Sequence, residues 1–126
     1  MQAAATGRLR HAAADLGLAD ALPGSGAAVA LTLSAAGYPD APRSGDRVLG
    51  VAEARAAGGL LFGAGLATDA QGELVTAGGR VLTVVGRAEM PAEALTQAYA
   101  AAAEVSFDGC QMRGDIAAAW REVAIA

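Results

Sequence analysis

The segment Thr76-Ala77-Gly78-Gly79-Arg80 combines two kinds of group that bind anions. Two adjacent glycines leave the main chain open, so that backbone N–H groups can point at an oxyanion. The guanidinium of Arg80 can then hold a phosphate or a carboxylate through two parallel hydrogen bonds. Turn glycines are common, however, and a hairpin turn beside a surface Arg explains the same residues. Gly78, Gly79 and Arg80 therefore form a candidate phosphate-binding turn, with a plain hairpin turn as the alternative.

The other glycine-rich segments do not match a nucleotide-binding loop. A Walker-type loop ends in Gly-Lys, and the chain contains no Lys. The segment Gly63-Ala64-Gly65 lacks the third glycine of a dinucleotide fingerprint, because Thr68 stands at that position. We therefore expect this chain to bind no nucleotide cofactor by itself.

Few side chains could act as an acid, a base or a metal ligand. His11 is the only histidine and Cys110 the only cysteine, so neither a Cys/His metal cluster nor a disulfide within the chain can form. Asp108 and Asp115 flank Arg113, which favours a solvated loop with a local ion pair over a catalytic carboxylate pair. Cys110 is expected to be a small buried residue. No catalytic and no metal-binding residue is predicted, and Arg113 is retained only as part of a cleft wall.

Charge and hydropathy exclude several classes of partner. The net charge of -4 and the pI of about 4.8 have the wrong sign for binding nucleic acid or an acidic membrane. The longest apolar run, residues 27–36, is about half of the roughly 20 residues that cross a bilayer. A single cysteine suits the reducing cytoplasm. We expect a cytoplasmic protein without nucleic-acid or membrane partners.

The spacing of apolar residues predicts an α+β domain. Residues 1–22 have helical spacing and a turn-rich segment follows, so residues 1–26 are expected as a lead-in and linker and residues 27–126 as the domain. Strands are predicted at residues 28–34, 60–65, 73–76 and 80–86, with a short one at 47–49, and the last three main strands predict an antiparallel meander. Pro91 is predicted to open a helix whose apolar face covers this sheet. Residues 51–57 are predicted to form one or two helical turns, and residues 116–126 a short helix or a final strand. Because most apolar residues are Ala and only 4% of all residues are aromatic, we expect small-residue packing in the core.

Tyr38 precedes Pro39, which favours an extended backbone there. Its ring is a candidate wall of a cleft, with core filling as the alternative. Neither this position nor any other shows the pattern of a catalytic nucleophile with its base.

Four sequence blocks in order resemble the C-terminal domain of the phosphoribosylamine-glycine ligase family, which belongs to the ATP-grasp enzymes. They are Ser34-Ala35-Ala36-Gly37-Tyr38-Pro39, Leu61-Phe62-Gly63-Ala64-Gly65, Val75-Thr76-Ala77-Gly78-Gly79-Arg80-Val81-Leu82, and Ser106-Phe107-Asp108-Gly109 with Arg113-Gly114-Asp115-Ile116. The early Ala5-Thr6-Gly7-Arg8-Leu9 is similar to the exit of the family from its ATP-grasp domain. This chain departs from the family pattern at Gly63, Leu66, Ala77 and Met112, where the family usually has His, Thr, Asn and Tyr.

This resemblance implies a role within a larger enzyme. The family joins phosphoribosylamine to glycine in de novo purine biosynthesis, and its ATP-grasp lobes hold ATP and magnesium. The chain is then a domain that packs against those lobes, present in the same or in a separate polypeptide, and helps to close the substrate cleft. Gly78, Gly79 and Arg80 are the residues that would face the phosphoribosyl phosphate. Alone, the chain is expected to bind no cofactor and to be inactive.

A second hypothesis remains open, namely a free-standing interaction or small-anion-binding module that has kept the fold. The departures from the family pattern at Gly63 and Ala77 mildly favour this second hypothesis. An exposed apolar patch of several hundred square ångströms on one face would instead indicate a surface for the ATP-grasp lobes.

Overall fold

The computed structural model describes residues 26–122. Along this part of the chain the elements are β1 (Ala27–Ser34), α1 (Val51–Ala56), β2 (Leu60–Gly63), β3 (Leu66–Thr68), β4 (Leu74–Thr76), β5 (Arg80–Ala88), α2 (Pro91–Glu104) and α3 (Ala119–Glu122). The helix expected over residues 1–22 and the linker up to residue 25 lie outside the described residues. No helix of residues 26–122 is long and apolar enough to span a bilayer.

The main sheet has three strands in the order β1-β5-β2, and both pairs are antiparallel. The long strand β5 lies in the centre, where Val84 pairs with Leu31 of β1 and with Leu61 of β2. Strands β3 and β4 form a separate antiparallel hairpin. The predicted α+β class with small antiparallel sheets is confirmed.

The connectivity differs from the predicted meander. Strand β4 pairs with β3 and not with β5, and β3 lies outside the strands that the sequence predicts. The chain bends at Gly78-Gly79 after β4, so that β5 enters between β1 and β2 instead of extending the hairpin. The strand expected at residues 47–49 is also wrong, because Arg47 and Leu49 make only isolated bridges, to Val75 and Ser106.

The core lies between one face of the main sheet and helix α2. Val29, Leu31 and Leu33 of β1 alternate with exposed residues, as expected for a strand with one buried face. Pro91 occupies the first turn of α2, where its missing N–H costs nothing. The buried side of α2 is made mostly of small residues, which are Ala94, Leu95, Ala98, Ala101 and Ala102. The predicted small-residue core is therefore present, and it brings the helix backbone close to the sheet.

Candidate functional site

The Gly78-Gly79 bend joins two strands that do not pair with each other. The carbonyl oxygen of Gly79 accepts a hydrogen bond of 2.8 Å from the N–H of Ala35, which ties the bend to the end of β1. A Cβ added at Gly79 would lie 2.9 Å from Cε2 of the Tyr38 ring. The hairpin interpretation is therefore wrong, because this bend is a crossover on which Tyr38 packs.

Three predicted site residues meet at one groove. Tyr38, Arg80 and Arg113 line a cavity of about 390 Å³ at the start of β5. The remaining lining residues, none of which is a predicted site residue, are Thr32, Ser34, Gln111 and Met112. Gly78 and Gly79 do not line this groove, so their contribution is to place Arg80 and to leave room for the ring of Tyr38. We call this cavity the Arg80 groove.

Sequence distance explains why the neutral polar groups of the groove were missed. Ser34 ends β1 and lies opposite Arg80 across a register shift in the β1–β5 ladder. The main chains of Ser34 and Gln111 exchange two hydrogen bonds of 2.8 and 2.9 Å, which fix the tail beside β1. Ser34 is buried, and it belongs to the lining of the groove. No local sequence pattern predicts a contact between Ser34 and Gln111, which are far apart in the chain.

The lining of the Arg80 groove contains basic but no acidic side chains, although the chain as a whole is acidic. Two of its seven lining residues are Arg and none is Asp or Glu. Arg113 donates hydrogen bonds of 2.8 and 2.6 Å to the carboxylate of Asp115, and this pair is largely exposed. These bonds hold the pKa of Asp115 below its ordinary value and raise the pKa of Arg113. Arg80 forms no ion pair within the described part of the chain, so its charge is available to an anion.

A neighbouring cluster of charges holds the loops around the groove. Arg43 donates to Asp46 at 2.8 Å and also pairs with Asp108, so it links the loop after β1 to the tail. The local ion pair expected around Arg113 is therefore formed with Asp115, while Asp108 is engaged elsewhere. Arg43 and the carboxylates of Asp46 and Asp108 form ion pairs with one another, so this cluster stabilises the loops and does not act as a ligand site.

Cys110 is exposed, which corrects the expectation of a buried residue. It follows Gly109, whose φ of 65° lies in the left-handed region. Partial desolvation nevertheless raises the pKa of the thiol. Among residues 26–122 no three His, Cys, Asp or Glu side chains come close enough to hold a metal ion.

A second and larger groove of about 620 Å³ lies at the opposite end of β5. Its lining includes Leu60, Arg87, Glu89 and Gln97, so that both signs of charge are present. The side chain of Gln97 accepts a hydrogen bond of 2.6 Å from the N–H of Arg87 and closes the wall of this groove. Because its charge is mixed, it is less suited to a phosphate than the Arg80 groove.

Comparison with known proteins decides the family. Residues 28–119 match the family described as phosphoribosylglycinamide synthetase, C domain. The chain belongs to this family. It is 43% identical over 90 residues to a phosphoribosylamine–glycine ligase of Neisseria meningitidis. This match covers 71% of this chain and 21% of that protein. The ligase of Thermotoga maritima is 46% identical over 92 residues, covering 73% of this chain and 22% of the relative.

A solved structure shows the same C-domain fold. The crystal structure of the Thermotoga maritima phosphoribosylamine–glycine ligase superposes with a TM-score of 0.64 and 45% sequence identity. The superposition covers 71% of this chain and 21% of that one. The synthetase C domain thus spans about a fifth of the length of the relatives that it matches.

Proposed function

We propose that this C domain forms one wall of the substrate cleft of a phosphoribosylamine–glycine ligase, with the Arg80 groove holding the phosphate of phosphoribosylamine. The observation that carries this proposal is the meeting of Tyr38, Arg80 and Arg113 at one cavity without a carboxylate in its wall. Membership in the family supports the reaction, and the geometry supports the site. The domain then contributes substrate binding to a catalytic centre that other parts of the ligase complete.

The chemistry of the groove matches a sugar phosphate. A phosphate monoester carries close to two negative charges at neutral pH, and a guanidinium binds two of its oxygens at once. Ser34, Thr32 and Gln111 add neutral donors and acceptors suited to the hydroxyl groups of a ribose. The ring of Tyr38 adds an apolar wall against which a furanose can lie. A volume of about 390 Å³ is ample for one such molecule.

ATP and magnesium belong to the rest of the proposed enzyme. The described residues do not fit either group, because they offer no cluster of metal-binding carboxylates and the chain contains no Lys. Phosphoryl transfer depends on cations and donors placed around the triphosphate. We therefore assign nucleotide binding to an ATP-grasp part, in the same polypeptide or as a separate chain. This function places the domain in the cytoplasm, where an exposed thiol such as Cys110 stays reduced.

Titration with ribose 5-phosphate tests the site. We expect Arg80→Ala to weaken binding about tenfold or more, because a hydrogen-bonded charge pair of this kind contributes roughly 1.5–3 kcal/mol. Arg87→Ala is the matched control, since it removes an exposed Arg from the opposite end of the same strand, and its affinity should stay within about twofold of wild type. Chemical-shift changes followed by NMR give both affinity and location. Equal weak binding by all three proteins would remove the Arg80 groove from the proposal.

Assay of the purified chain tests the division of labour. With ATP, magnesium, phosphoribosylamine and glycine, the chain alone should form no glycinamide ribonucleotide. Detection of that product above the protein-free background would show that this chain carries the catalytic machinery and would overturn the proposal.

A further inference from the structure

The hydroxyl of Tyr99 ties the loop that carries Arg113 to helix α2. It donates a hydrogen bond of 3.1 Å to the carbonyl oxygen of Arg113 and accepts one of 3.1 Å from the N–H of Ile116. Residues 112–115 belong to neither a helix nor a strand, so their position depends on contacts with other segments. A single hydroxyl on α2 therefore holds both ends of the turn from Arg113 to Ile116.

Helix α2 makes Tyr99 a rigid support for this turn. Ala98 and Ala102 beside it on the helix are buried against the sheet, and the half-buried ring of Tyr99 packs on the same core. The guanidinium carbon of Arg121 lies 5.3 Å from the centroid of the ring, within the range of a cation–π contact. Arg121 also donates a hydrogen bond of 3.1 Å to the carbonyl oxygen of Gly114, inside the turn. The ring therefore has a fixed place, and its hydroxyl offers the loop a stationary anchor.

The segment of the tail that lines the Arg80 groove is held at two points. The main chains of Gln111 and Ser34 exchange two hydrogen bonds, which join the tail to the end of β1. Tyr99 supplies the second anchor two residues later, at Arg113 itself. The main chain of Arg113 is thereby fixed relative to both β1 and α2.

The guanidinium of Arg113 can hold Asp115 and an oxyanion at once. Its Nε donates to Oδ1 of Asp115 at 2.8 Å and its Nη2 donates to Oδ2 at 2.6 Å, which uses two of the five N–H groups of an arginine. The other three lie on Nη1 and Nη2, along a different edge of the planar group. This ion pair is largely exposed, and exposed pairs add little order by themselves. The anchor on the main chain is therefore the stronger constraint on Arg113.

Tyr99 does not line the Arg80 groove, whereas Arg113 does. Any effect of the Tyr99 hydroxyl on a bound anion must therefore pass through the loop. The alternative is a purely stabilising role, because a hydrogen bond to a loop adds stability whether or not that loop binds a ligand. The two roles differ in a measurable respect: only a positioning residue changes the ligand affinity of the folded protein, and it loses this effect once Arg113 is removed.

We propose that Tyr99 is a positioning residue for the phosphate of phosphoribosylamine, and that its hydroxyl holds the main chain of Arg113 so that the guanidinium stays at the Arg80 groove. This inference rests on the proposed function and adds to it a residue that does not touch the ligand. Tyr99 acts through Arg113, while Arg80 is placed separately by the start of β5.

The test is a double-mutant cycle on the complete 126-residue chain, with ribose 5-phosphate as the titrated ligand and NMR as the detection. The proteins are wild type, Tyr99→Phe, Arg113→Ala and the double variant, with Arg80→Ala as the reference for the groove. Thr96→Val is the matched control, because it also removes a hydroxyl that donates to a main-chain carbonyl, from an exposed position one turn earlier in α2. Thermal unfolding followed by circular dichroism measures the change in stability of each variant separately from the affinity.

We expect Tyr99→Phe to bind ribose 5-phosphate about three- to fivefold more weakly than wild type, and Thr96→Val to stay within about 1.5-fold. Arg113→Ala should weaken binding about tenfold, and adding Tyr99→Phe to it should change the affinity by less than about 1.5-fold. The Nε–H signal of Arg113 gives a readout that needs no variant, since it should shift when ribose 5-phosphate is added to wild type. The same signal should already be displaced in unliganded Tyr99→Phe.

The outcomes separate this inference from the proposed function. If Tyr99→Phe binds like wild type while Arg80→Ala and Arg113→Ala bind more weakly, the positioning role is refuted and the proposed function stands. If the loss caused by Tyr99→Phe persists in the double variant, or if the Arg113 signal of wild type does not respond to the ligand, Tyr99 does not act through Arg113 and the inference is overturned. Ribose 5-phosphate affinity that neither Arg80→Ala nor Arg113→Ala lowers would remove both proposals.

Discussion

Gly86 is the position where the close approach of helix α2 to the sheet can be tested most directly. It lies on the buried face of β5 and pairs with Val29. A Cβ added there would lie 2.8 Å from Cα of Ala98 and closer still to the carbonyl oxygen of Ala94, both in the backbone of α2. No side chain can rotate to relieve this contact. Gly86→Ala must therefore move the helix away from the sheet.

The size of the effect follows from the overlap. Ordinary contact begins at 3.4 Å, so α2 has to retreat by at least 0.6 Å. A gap of this size forfeits a quarter to a half of the dispersion energy of each contact that it opens. Overpacking of this kind costs about 1–3 kcal/mol. For a domain of this size, each kcal/mol lowers Tm by about 4–8 °C, so we expect a fall of roughly 4–24 °C.

Gly114→Ala is the matched control for this substitution. Gly114 has no heavy atom within 4 Å of the added Cβ, and its φ lies outside the left-handed region. The same change should therefore be neutral or stabilising by up to about 1 kcal/mol, through the lower entropy of the unfolded chain. Thermal unfolding and urea titration followed by circular dichroism measure both variants. A Gly86→Ala protein within about 0.5 kcal/mol of wild type would refute the rigid helix–sheet contact.

Two further predictions concern the Arg80 groove. Gly79→Ala places a methyl group against the ring of Tyr38, so the ring must leave its position. The affinity for ribose 5-phosphate, measured by NMR, should then fall severalfold. An unchanged affinity would show that the ring does not form the wall of the groove. Since the hydrogen bonds from Arg113 depress the pKa of Asp115 in the folded chain, the pair stabilises the tail above the unfolded pKa of that carboxyl, and this contribution is lost as pH falls through the folded pKa. Carboxyl-carbon NMR titration should show the Asp115 pKa rising toward its ordinary value in Arg113→Gln, whereas identical titrations in the two proteins would contradict the pairing.

Local patterns were sufficient to predict most of the elements. The alternating apolar residues of β1, the β-branched run of β5 and the proline that opens α2 each produce the predicted element, because strand and helix periodicities are local properties. The resemblance in four ordered blocks predicted the family, which the match over residues 28–119 confirms. Part of the candidate site could also be predicted from the sequence, since residue type and neighbouring residues pointed to Arg80, Tyr38 and Arg113.

The order of the strands was decided only by tertiary structure. The turn residues before β5 are compatible with a hairpin, yet β5 lies between β1 and β2 and leaves β4 paired with β3. Placing β5 in the centre lets Leu82 and Val84 bury against α2 together with the apolar side of β1. That gain depends on contacts between distant segments, which a local pattern does not contain.

The sequence by itself determined the α+β class, the small-residue core, the acidic charge and the Gly-Gly-Arg bend. Tertiary structure decided that Arg80 shares a groove with Ser34 and Gln111, that Cys110 is exposed, and that β5 lies between β1 and β2 in the main sheet. The physical reason is the range of the interactions involved. Periodicity and turn chemistry act over a few residues, whereas a groove and a strand order arise from cross-strand register between segments that are far apart in the chain.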